Sequence, residues 1–286
     1  MQQYIRAPFV FGGRQEHKFW QCRDCDAIYL YPIPSSEEEK QFYLKEFEKF
    51  MSTRVGDHRD WSNAELHKIT NQDQVKRRLP FLKDYLKPNK VLLEIGCSSG
   101  FMLDAFRDGF GLECIGVEPS GEFKEFVEMS GHTVVEELSN LPCRKFDIIT
   151  HFFVFEHIRN PFSFLKASYD LLKDGGVIIA EVPCAHDVLT SLYKIDAFEK
   201  FYWSIAHHYY YTRKSLSYIL DQLGYHYELV PEQRYDLSNH MVWMNEGKPG
   251  GQGRYNEKLG DELISAYRKR LIDTWQCDTL FMYIWK

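Results

Sequence analysis

The chain has 286 residues, of which 44% are hydrophobic and 27% charged, and its formal net charge is −6. This composition is typical of a globular protein with one or two domains, and the negative charge argues against a nucleic-acid binder. No apolar stretch approaches the ~20 residues that cross a bilayer, and the first residues lack a signal-peptide pattern. The 7 cysteines, an odd number, favour reduced thiols over a disulfide framework. We therefore expect a cytoplasmic protein with no nucleic-acid partner and no membrane insertion.

Two cysteines near the start of the chain, Cys22 and Cys25, have the C-x-x-C spacing of half a tetrahedral zinc site. No second C-x-x-C accompanies them, so metal binding is not expected, and the alternative is a β-hairpin with two free thiols. Serines and acids at residues 35–38 predict the beginning of a helix, and a second helical stretch covers about residues 62–85. We predict that residues 1–86 form an N-terminal extension with a mainly helical cap.

Residues 90–119 predict a strand, a glycine-containing turn, a helix and a second strand that ends at an acid. The apolar run at residues 91–93 is typical of a strand that is buried on both faces. Gly96 and Gly100 allow the backbone to approach a ligand closely. Glu118 follows at about the distance at which such units place the acid that binds ribose hydroxyls. The unit therefore predicts a nucleotide-type crevice at the carboxyl ends of parallel strands.

The turn differs from a dinucleotide fingerprint, because Ser98 occupies the position of the middle glycine that lets pyrophosphate lie against the backbone. What remains, E-x-G-x-x-x-G from Glu94 to Gly100, resembles motif I of the class I S-adenosylmethionine-dependent methyltransferases. The resemblance implies S-adenosylmethionine as the cofactor, which carries no phosphate and tolerates an acid at the end of the strand. It assigns cofactor contacts to the turn and to the end of the second strand: Glu94, Gly96, Cys97, Ser98, Gly100, Glu118 and Pro119.

The segments that follow alternate between short apolar runs and helical stretches. Helices are predicted at residues 120–130 and 161–172, and strands at residues 133–135, 145–151 and 177–182. This alternation predicts an α/β fold with a doubly wound parallel sheet and right-handed crossovers. With the resemblance, it implies a mostly parallel, seven-stranded, Rossmann-like sheet. The methyltransferase domain would span residues 87–286, with substrate-side insertions at about residues 184–211 and 234–276.

The resemblance also places residues near the cofactor and the acceptor. Glu137 corresponds to the acid or amide that faces the adenine amino group, and His151 and Phe152 lie at the end of the fourth strand. The sequence FFVFEHIRNP at residues 152–161 matches the V-x-E-H-x-x-x-P segment that lines the methyl-transfer site. This match makes His157 a candidate base near the acceptor.

A segment rich in histidine and tyrosine, residues 206–212, resembles the H-E-H-x-x-Y-F-[ST] stretch of methyltransferases that act on deoxysugars. Its acid is missing here, but the histidines and tyrosines offer acid–base groups and stacking faces. Alternatively, the tyrosines pack inward and one histidine caps a turn. The S-N-H sequence at residues 238–240, followed by a Gly/Pro-rich turn, is similar to a segment of the polysaccharide-associated subgroup. The candidates are catalytic His157, His207 and His208, and substrate-binding Tyr209, Tyr211, Asn239 and His240.

These features predict an enzyme that transfers the methyl group of S-adenosylmethionine to a small polar acceptor. The resemblance favours a hydroxyl of a sugar-like or phosphorylated precursor of a bacterial surface glycan, such as capsule or lipopolysaccharide. Because the sulfonium methyl is already activated, the protein mainly has to hold the acceptor in line, exclude water and remove a proton. Sugar C- or N-methylation, a non-catalytic methyltransferase-fold partner subunit and an NAD-dependent oxidoreductase remain alternatives, and the sequence leaves a homodimer open.

Overall fold

A central seven-stranded sheet organises the chain. The computed structural model describes residues 2–42, 63–119 and 121–286. In spatial order, the sheet consists of β10 (His226–Glu232), β11 (Thr279–Trp285), β8 (Leu172–Pro183), β7 (Phe146–Phe152), β4 (Val91–Ile95), β5 (Glu113–Val117) and β6 (Thr133–Val135). Strand β11 pairs antiparallel with both of its neighbours, and the other pairs are parallel. The expected mostly parallel, Rossmann-like α/β fold is confirmed.

Helices cover both faces of this sheet. They are α1 (Ser36–Gln41), α2 (Ala64–Thr70), α3 (Gln72–Leu82), α4 (Phe101–Phe110), α5 (Gly121–Met129), α6 (Pro161–Leu171), α7 (Val188–Ser191), α8 (Asp196–Tyr202), α9 (Arg213–Leu223), α10 (Leu237–Glu246), α11 (Asn256–Leu259) and α12 (Asp261–Asp273). On one face, α3 and α4 contribute Leu82 and Phe106 to the core. On the other face, α6 and α9 contribute Leu165 and Leu216. This double cover explains why every residue of the central strand β4 is buried.

Local signals determine where α9 begins and ends. The Oγ1 of Thr212 accepts a hydrogen bond from the N–H of Ser215 at 3.1 Å, and the Oγ of Ser215 accepts one from the N–H of Thr212 at 2.8 Å. The two residues form a reciprocal cap at the N-terminus of the helix, and Gly224 follows its last residue. The histidine- and tyrosine-rich segment therefore enters the helix at a fixed position.

Residues 2–31 form strands of a second, antiparallel sheet, whereas the helical part of the expected cap consists of α1, α2 and α3. The order of this sheet is β1 (Gln3–Ala7), β2 (Lys18–Cys22), β3 (Ile28–Tyr31) and β9 (Tyr209–Tyr210). Phe19 packs against Trp203 and Tyr210, with ring centroids 5.5 and 5.1 Å apart. The pairing of β3 with β9 joins the N-terminal extension to the insertion at residues 184–211.

The remaining expectations concern the helical stretch at residues 62–85, the two cysteines near the start of the chain, the insertion at residues 234–276 and membrane spans. The helical stretch at residues 62–85 forms two helices that meet at Asn71, and residue 62 lies outside the described residues. Cys22 and Cys25 flank the turn of the β2–β3 hairpin. The insertion at residues 234–276 contains α10, α11 and α12. Among the described helices, none combines the length and the apolar composition that a bilayer span needs.

Candidate active site

The turn from β4 into α4, here named the glycine turn, extends from Gly96 to Gly100. Both glycines have a φ of +73°, a conformation that residues with a Cβ rarely adopt. A Cβ on Gly96 would lie 2.5 Å from Val154 Cγ2, and a Cβ on Gly116 in β5 would lie 2.5 Å from Cys97 Sγ. The backbone at Gly96 and Gly116 is therefore packed too closely against its neighbours to accept a side chain.

Two buried acids border the glycine turn. The Oε2 of Glu94, which is 3% exposed, has no hydrogen-bond partner among the described residues, and burial raises the pKa of this carboxyl to about 8. The Oε2 of Glu118, directly after β5, accepts a hydrogen bond from the N–H of Ser98 at 2.8 Å. An unsatisfied buried carboxyl favours a ligand that brings a positive charge or a hydrogen-bond donor to it.

The cap helix α2 packs against the glycine turn. The Nδ1 of His67 lies 2.8 Å from the Oγ of Ser99. The His67 ring also contacts Phe101 at the start of α4 and Phe123 in α5, with centroid distances of 6.1 and 5.2 Å. The N-terminal extension thus contributes to the wall of the cofactor region.

The two candidates at the end of β7 lie on opposite faces of the sheet, because successive side chains of a strand alternate. Phe152 shares its face with Glu94 and lies under the guanidinium of Arg78, which is 4.3 Å from the ring centroid. His151 packs against Phe164 in the other half of the core at a centroid distance of 5.3 Å, and burial lowers its pKa to about 3. The structure therefore does not bring the His151 side chain to the face of the sheet on which Glu94 lies.

The other cofactor candidates follow the strands next to β4. Pro119 continues directly from Glu118, and Glu137 lies exposed after β6, where its Oε1 accepts a hydrogen bond from the hydroxyl of Ser139. Because β5 and β6 are parallel neighbours, their carboxyl ends meet at the same edge of the sheet. Glu118 and Glu137 therefore lie along one edge.

A second group of side chains, here named the histidine cluster, consists of Glu156, His157, His207 and His208. Glu156 and His157 lie in a short 3₁₀ turn after β7, and the other two precede β9. The Nδ1 of His157 lies 2.6 Å from the carbonyl oxygen of Ala206, and the His157 and His207 rings are 4.7 Å apart between centroids. Glu156, His157 and His207 each offer one potential metal-ligand atom, and these three atoms lie within 4.8 Å of one another. Two segments that are distant in sequence thus form one polar cluster.

His208 has a carboxylate partner from the N-terminal extension. Its Nε2 lies 2.8 Å from Glu39 Oε1, and Arg159 Nε donates to the other oxygen of Glu39 at 2.8 Å. Burial acts to raise the pKa of Glu39, but His208 and Arg159 lower it overall. The Nδ1 of His208 is buried without a hydrogen-bond partner among the described residues. Glu39 therefore fixes the orientation of this imidazole.

The two tyrosine candidates after the histidines are held by packing. Tyr211 is fully buried and stacks on Phe155 at a centroid distance of 4.9 Å. The half-buried Tyr209 donates its hydroxyl to the carbonyl oxygen of Arg159 at 3.4 Å. The inward packing of Tyr211 is the alternative that the sequence left open. Tyr209 remains at the border of the histidine cluster.

Asn239 and His240 lie in α10, within a different buried network. Asn239 donates its Nδ2 to the carbonyl oxygen of Gly250 at 2.7 Å. The Nδ1 of His240 lies 2.6 Å from the hydroxyl of Tyr267 in α12, and burial lowers the pKa of His240 to about 4. The hydrogen bonds of both side chains therefore tie α10 to its own surroundings, and neither is made with the histidine cluster.

Sequence reasoning missed an ion-pair network at the end of β8. Glu181 is fully buried and accepts hydrogen bonds from Arg78 Nε at 2.9 Å and from Arg77 Nη2 at 2.8 Å. An acid inside an apolar strand signals such a partner, because buried carboxylates are almost always paired. Glu39 and Arg159 were missed as well, and no local pattern marks their contact with each other.

The residues at the glycine turn fit S-adenosylmethionine. Gly96 and Gly100 both have a positive φ, so the turn has the glycine-dependent backbone that allows close approach to a ligand. The unsatisfied oxygen of Glu94 suits the positive charge of an ammonium or sulfonium group. Glu118 is placed at the strand end where an acid can accept hydrogen bonds from ribose hydroxyls.

Comparisons with known proteins agree with this geometry. A family model described as a methyltransferase domain matches residues 67–230, more than half of the chain. The tRNA U34 carboxymethyltransferase of Desulfotalea psychrophila is 30% identical over 129 residues, which cover 42% of this chain and 39% of that protein. The ubiquinone biosynthesis O-methyltransferase of Ruegeria pomeroyi is 34% identical over 98 residues, which cover 31% of this chain and 39% of that protein. The aligned regions thus span well under half of these curated relatives.

Solved structures show the same fold. The crystal structure of a SAM dependent methyltransferase from Archaeoglobus fulgidus has a TM-score of 0.51 and 21% identity, and the alignment covers 75% of this chain and 94% of that chain. The expected cofactor, S-adenosylmethionine, is confirmed by the family match together with this fold. The chain belongs to the methyltransferase domain family.

Proposed function

We propose that this chain transfers the methyl group of S-adenosylmethionine to a hydroxyl of a small, sugar-like or phosphorylated acceptor, a precursor of a bacterial surface glycan. The observation that carries the proposal is the contact between the glycine turn and the segment that leads into the histidine cluster. Val154, three residues before His157, packs directly against Gly96. This contact supports a placement of the proton-accepting groups of the histidine cluster on the acceptor side of the cofactor.

The cofactor side needs three contributions from the chain. When bound, the cofactor supplies a methyl group that is already activated on a sulfonium centre. Glu94 would face its positive charge, Glu118 would accept hydrogen bonds from its ribose hydroxyls, and Gly96 would leave room for close backbone approach. The acids give this site a preference for a cationic ligand over the pyrophosphate of a dinucleotide.

The acceptor side needs a group that removes the hydroxyl proton as the new bond forms. A histidine does this near neutral pH and typically contributes a factor of about 10²–10⁴. The candidates remain His157, His207 and His208. The Nε2 of His208 lies 2.8 Å from Glu39 Oε1, an arrangement in which a carboxylate orients the imidazole.

A cavity of about 310 Å³ next to the histidine cluster supports a polar acceptor. Its walls carry both signs of charge, which suits a molecule with many hydroxyls or a phosphate better than an apolar ring. The charged and titratable residues of this lining are Arg14, His17, Glu37, Glu38, Glu39 and His208. The resemblance of residues 206–212 to enzymes of deoxysugar pathways supports the sugar-like class.

The test follows a labelled methyl group. Protein and S-adenosylmethionine with a labelled methyl are incubated with pools of sugar nucleotides, phosphorylated sugars and small amines, and the product is identified by NMR. We expect label on an oxygen of a sugar-like acceptor. Label on carbon or nitrogen would replace O-methylation by the corresponding alternative. Cofactor binding without transfer to any pool or to a small-molecule cell extract would favour a non-catalytic partner subunit.

A further inference from the structure

We propose that Glu156, His157 and His207 form a binding site for a divalent cation of the zinc class. The ion site itself stands independently of the reaction proposed above, although its role in that reaction rests on the proposed function. The three residues join the turn after β7 to the segment before β9. Two imidazoles and one carboxylate are the donor set that Zn²⁺, Co²⁺ and Fe²⁺ accept more readily than Mg²⁺ or Ca²⁺ do.

The distances place the three donors within reach of one ion. One potential ligand atom from each residue lies within 4.8 Å of those of the other two. Tetrahedral bonds of about 2.1 Å would hold pairs of donors about 3.4 Å apart. Side-chain rotations of about an ångström would therefore bring the donors onto a common ion without movement of the backbone.

Glu156 provides the independent sign of a missing ligand. Its side chain is 1% exposed, and its Oε2 has no hydrogen-bond partner among the described residues. A buried carboxyl oxygen without a partner is costly and needs an explanation, such as an ion. The carbonyl oxygen of Glu156 accepts a hydrogen bond from the N–H of His208 at 2.8 Å, so the backbone on both sides of the site is fixed.

The surroundings of His157 are those of a metal ligand. Its Nδ1 lies 2.6 Å from the carbonyl oxygen of Ala206 and donates to it, which leaves Nε2 as the nitrogen with a lone pair in the neutral ring. Histidine ligands usually donate their second nitrogen to a carboxylate or a backbone carbonyl in this way. Ala206 directly precedes His207, so the same contact fixes the distance between the two imidazoles.

Three protein ligands leave at least one coordination position open, as in catalytic zinc sites. Under the proposed function, the acceptor hydroxyl occupies this position, and the ion makes its proton easier to lose. The O–H bond breaks and the proton passes to His208. The oxygen forms a bond to the methyl carbon, and the electron pair of the broken C–S bond stays on sulfur. In this arrangement His157 and His207 bind the ion, and His208 is the base.

Titration of the full-length, chelator-treated protein with Co²⁺ tests the site, because bound Co²⁺ has a visible ligand-field spectrum. We expect one Co²⁺ per chain, displaced by Zn²⁺, and no thiolate charge-transfer band. Glu156→Gln and His207→Asn should each weaken Co²⁺ binding at least about tenfold, since even indirect disturbance of a metal site costs about 10–100-fold. The matched control His226→Asn, at the exposed start of β10, should leave the titration unchanged.

The affinity for S-adenosylmethionine, measured on the same variants, separates loss of the ion from loss of the fold. Weaker Co²⁺ binding with unchanged cofactor affinity supports the site. The proposal is overturned if the wild-type protein binds the cofactor but not Co²⁺ or Zn²⁺. It is also overturned if the Co²⁺ signal disappears in Cys22→Ser and persists in Glu156→Gln, which would place the ion on the C-x-x-C pair. Failure of the proposed methyl transfer would show instead as absent turnover with the ion still bound.

Discussion

The glycine turn and the histidine cluster are linked through Val154, which contacts Gly96, but they are built from very different lengths of chain. Residues 94–118 contain most of the candidate cofactor contacts within one strand–helix–strand unit. The histidine cluster combines residues 156–157 with residues 207–208, and Glu39 reaches it from the N-terminal extension. The first region can form as soon as neighbouring strands pair. The second needs the β3–β9 pairing, which joins distant parts of the chain.

This difference suggests that the two regions have separate roles, one in cofactor binding and the other in methyl transfer. A contiguous unit positions its ligand contacts by local backbone geometry, so it can be kept while the rest of the chain changes. A site made from several segments can acquire a new acceptor through changes in any one of them. We therefore expect variants of the two regions to affect different measurements, with cofactor affinity responding to the first and turnover to the second.

The largest effect should come from the histidine cluster. His157→Ala should lower kcat by a factor of about 10²–10⁴, because it removes either a proton acceptor or an ion ligand. Cofactor affinity should remain within a factor of about two, because His157 lies outside the glycine turn. The measurement is formation of S-adenosylhomocysteine beside calorimetric titration. Equal loss of turnover and cofactor affinity would assign His157 a structural role. It would also contradict the expectation that the two regions affect different measurements.

Glu118→Ala should weaken the binding of S-adenosylmethionine by about 10–100-fold, the cost of losing hydrogen bonds to a charged acceptor. Calorimetry measures this change, and Glu122→Ala, in the exposed first turn of α5, is the matched control. Unchanged affinity in the Glu118 variant would remove this acid from the cofactor site.

Gly96→Ala tests the contact between the two regions. Its Cβ would lie 2.5 Å from Val154, so we expect a loss of unfolding free energy of about 1–3 kcal/mol from overpacking. Gly111 has a similar φ of +66°, but no heavy atom lies within 4 Å of the position of an added Cβ. Gly111→Ala therefore introduces the conformational strain without the overpacking. Denaturant titrations measure the loss of unfolding free energy in both variants, and the difference between the two losses is the cost of the contact with Val154. Equal losses in the two variants would show that Val154 does not restrict the turn.

The pH dependence of cofactor binding tests the role of Glu94. The pKa of Glu94 is raised from an ordinary value of 4.5 to about 8, so the unfolded chain ionises at lower pH than the folded protein does. Without cofactor, the contribution of Glu94 to stability is therefore fully present below pH 4.5 and is lost as pH rises toward 8. A cationic ligand favours the ionised carboxyl, so cofactor affinity should rise by up to about tenfold per pH unit below 8 and then level off. Glu94→Gln should flatten this dependence, and an equal slope in the variant would exclude Glu94 as its cause.

Much of the fold was accessible from sequence because its signals are local. Short apolar runs identified β4, β5 and β7, and Thr212 and Gly224 marked the ends of α9. The pairing of β3 with β9 was not accessible, because strands that are distant in sequence carry no local sign of their register.

The candidate site also has a part that was predictable from the sequence and a part that was not. The candidates Gly96 and Glu118 followed from a contiguous motif, whereas the contact of Glu39 with His208 joins two segments without a shared pattern. His151 and Phe152 lie on opposite faces of the sheet, because successive side chains along β7 alternate between the two faces. Motif matching placed both residues near the cofactor, and strand periodicity would have separated them.

The most direct test of the account is a calorimetric titration of the purified chain with S-adenosylmethionine, S-adenosylhomocysteine and NAD in parallel. The glycine turn, with Glu94 unsatisfied and Ser98 in place of the middle glycine, predicts micromolar binding of the first two ligands and no binding of NAD. Binding of NAD, or no heat with any of the three, would contradict the assignment of this turn as an S-adenosylmethionine site.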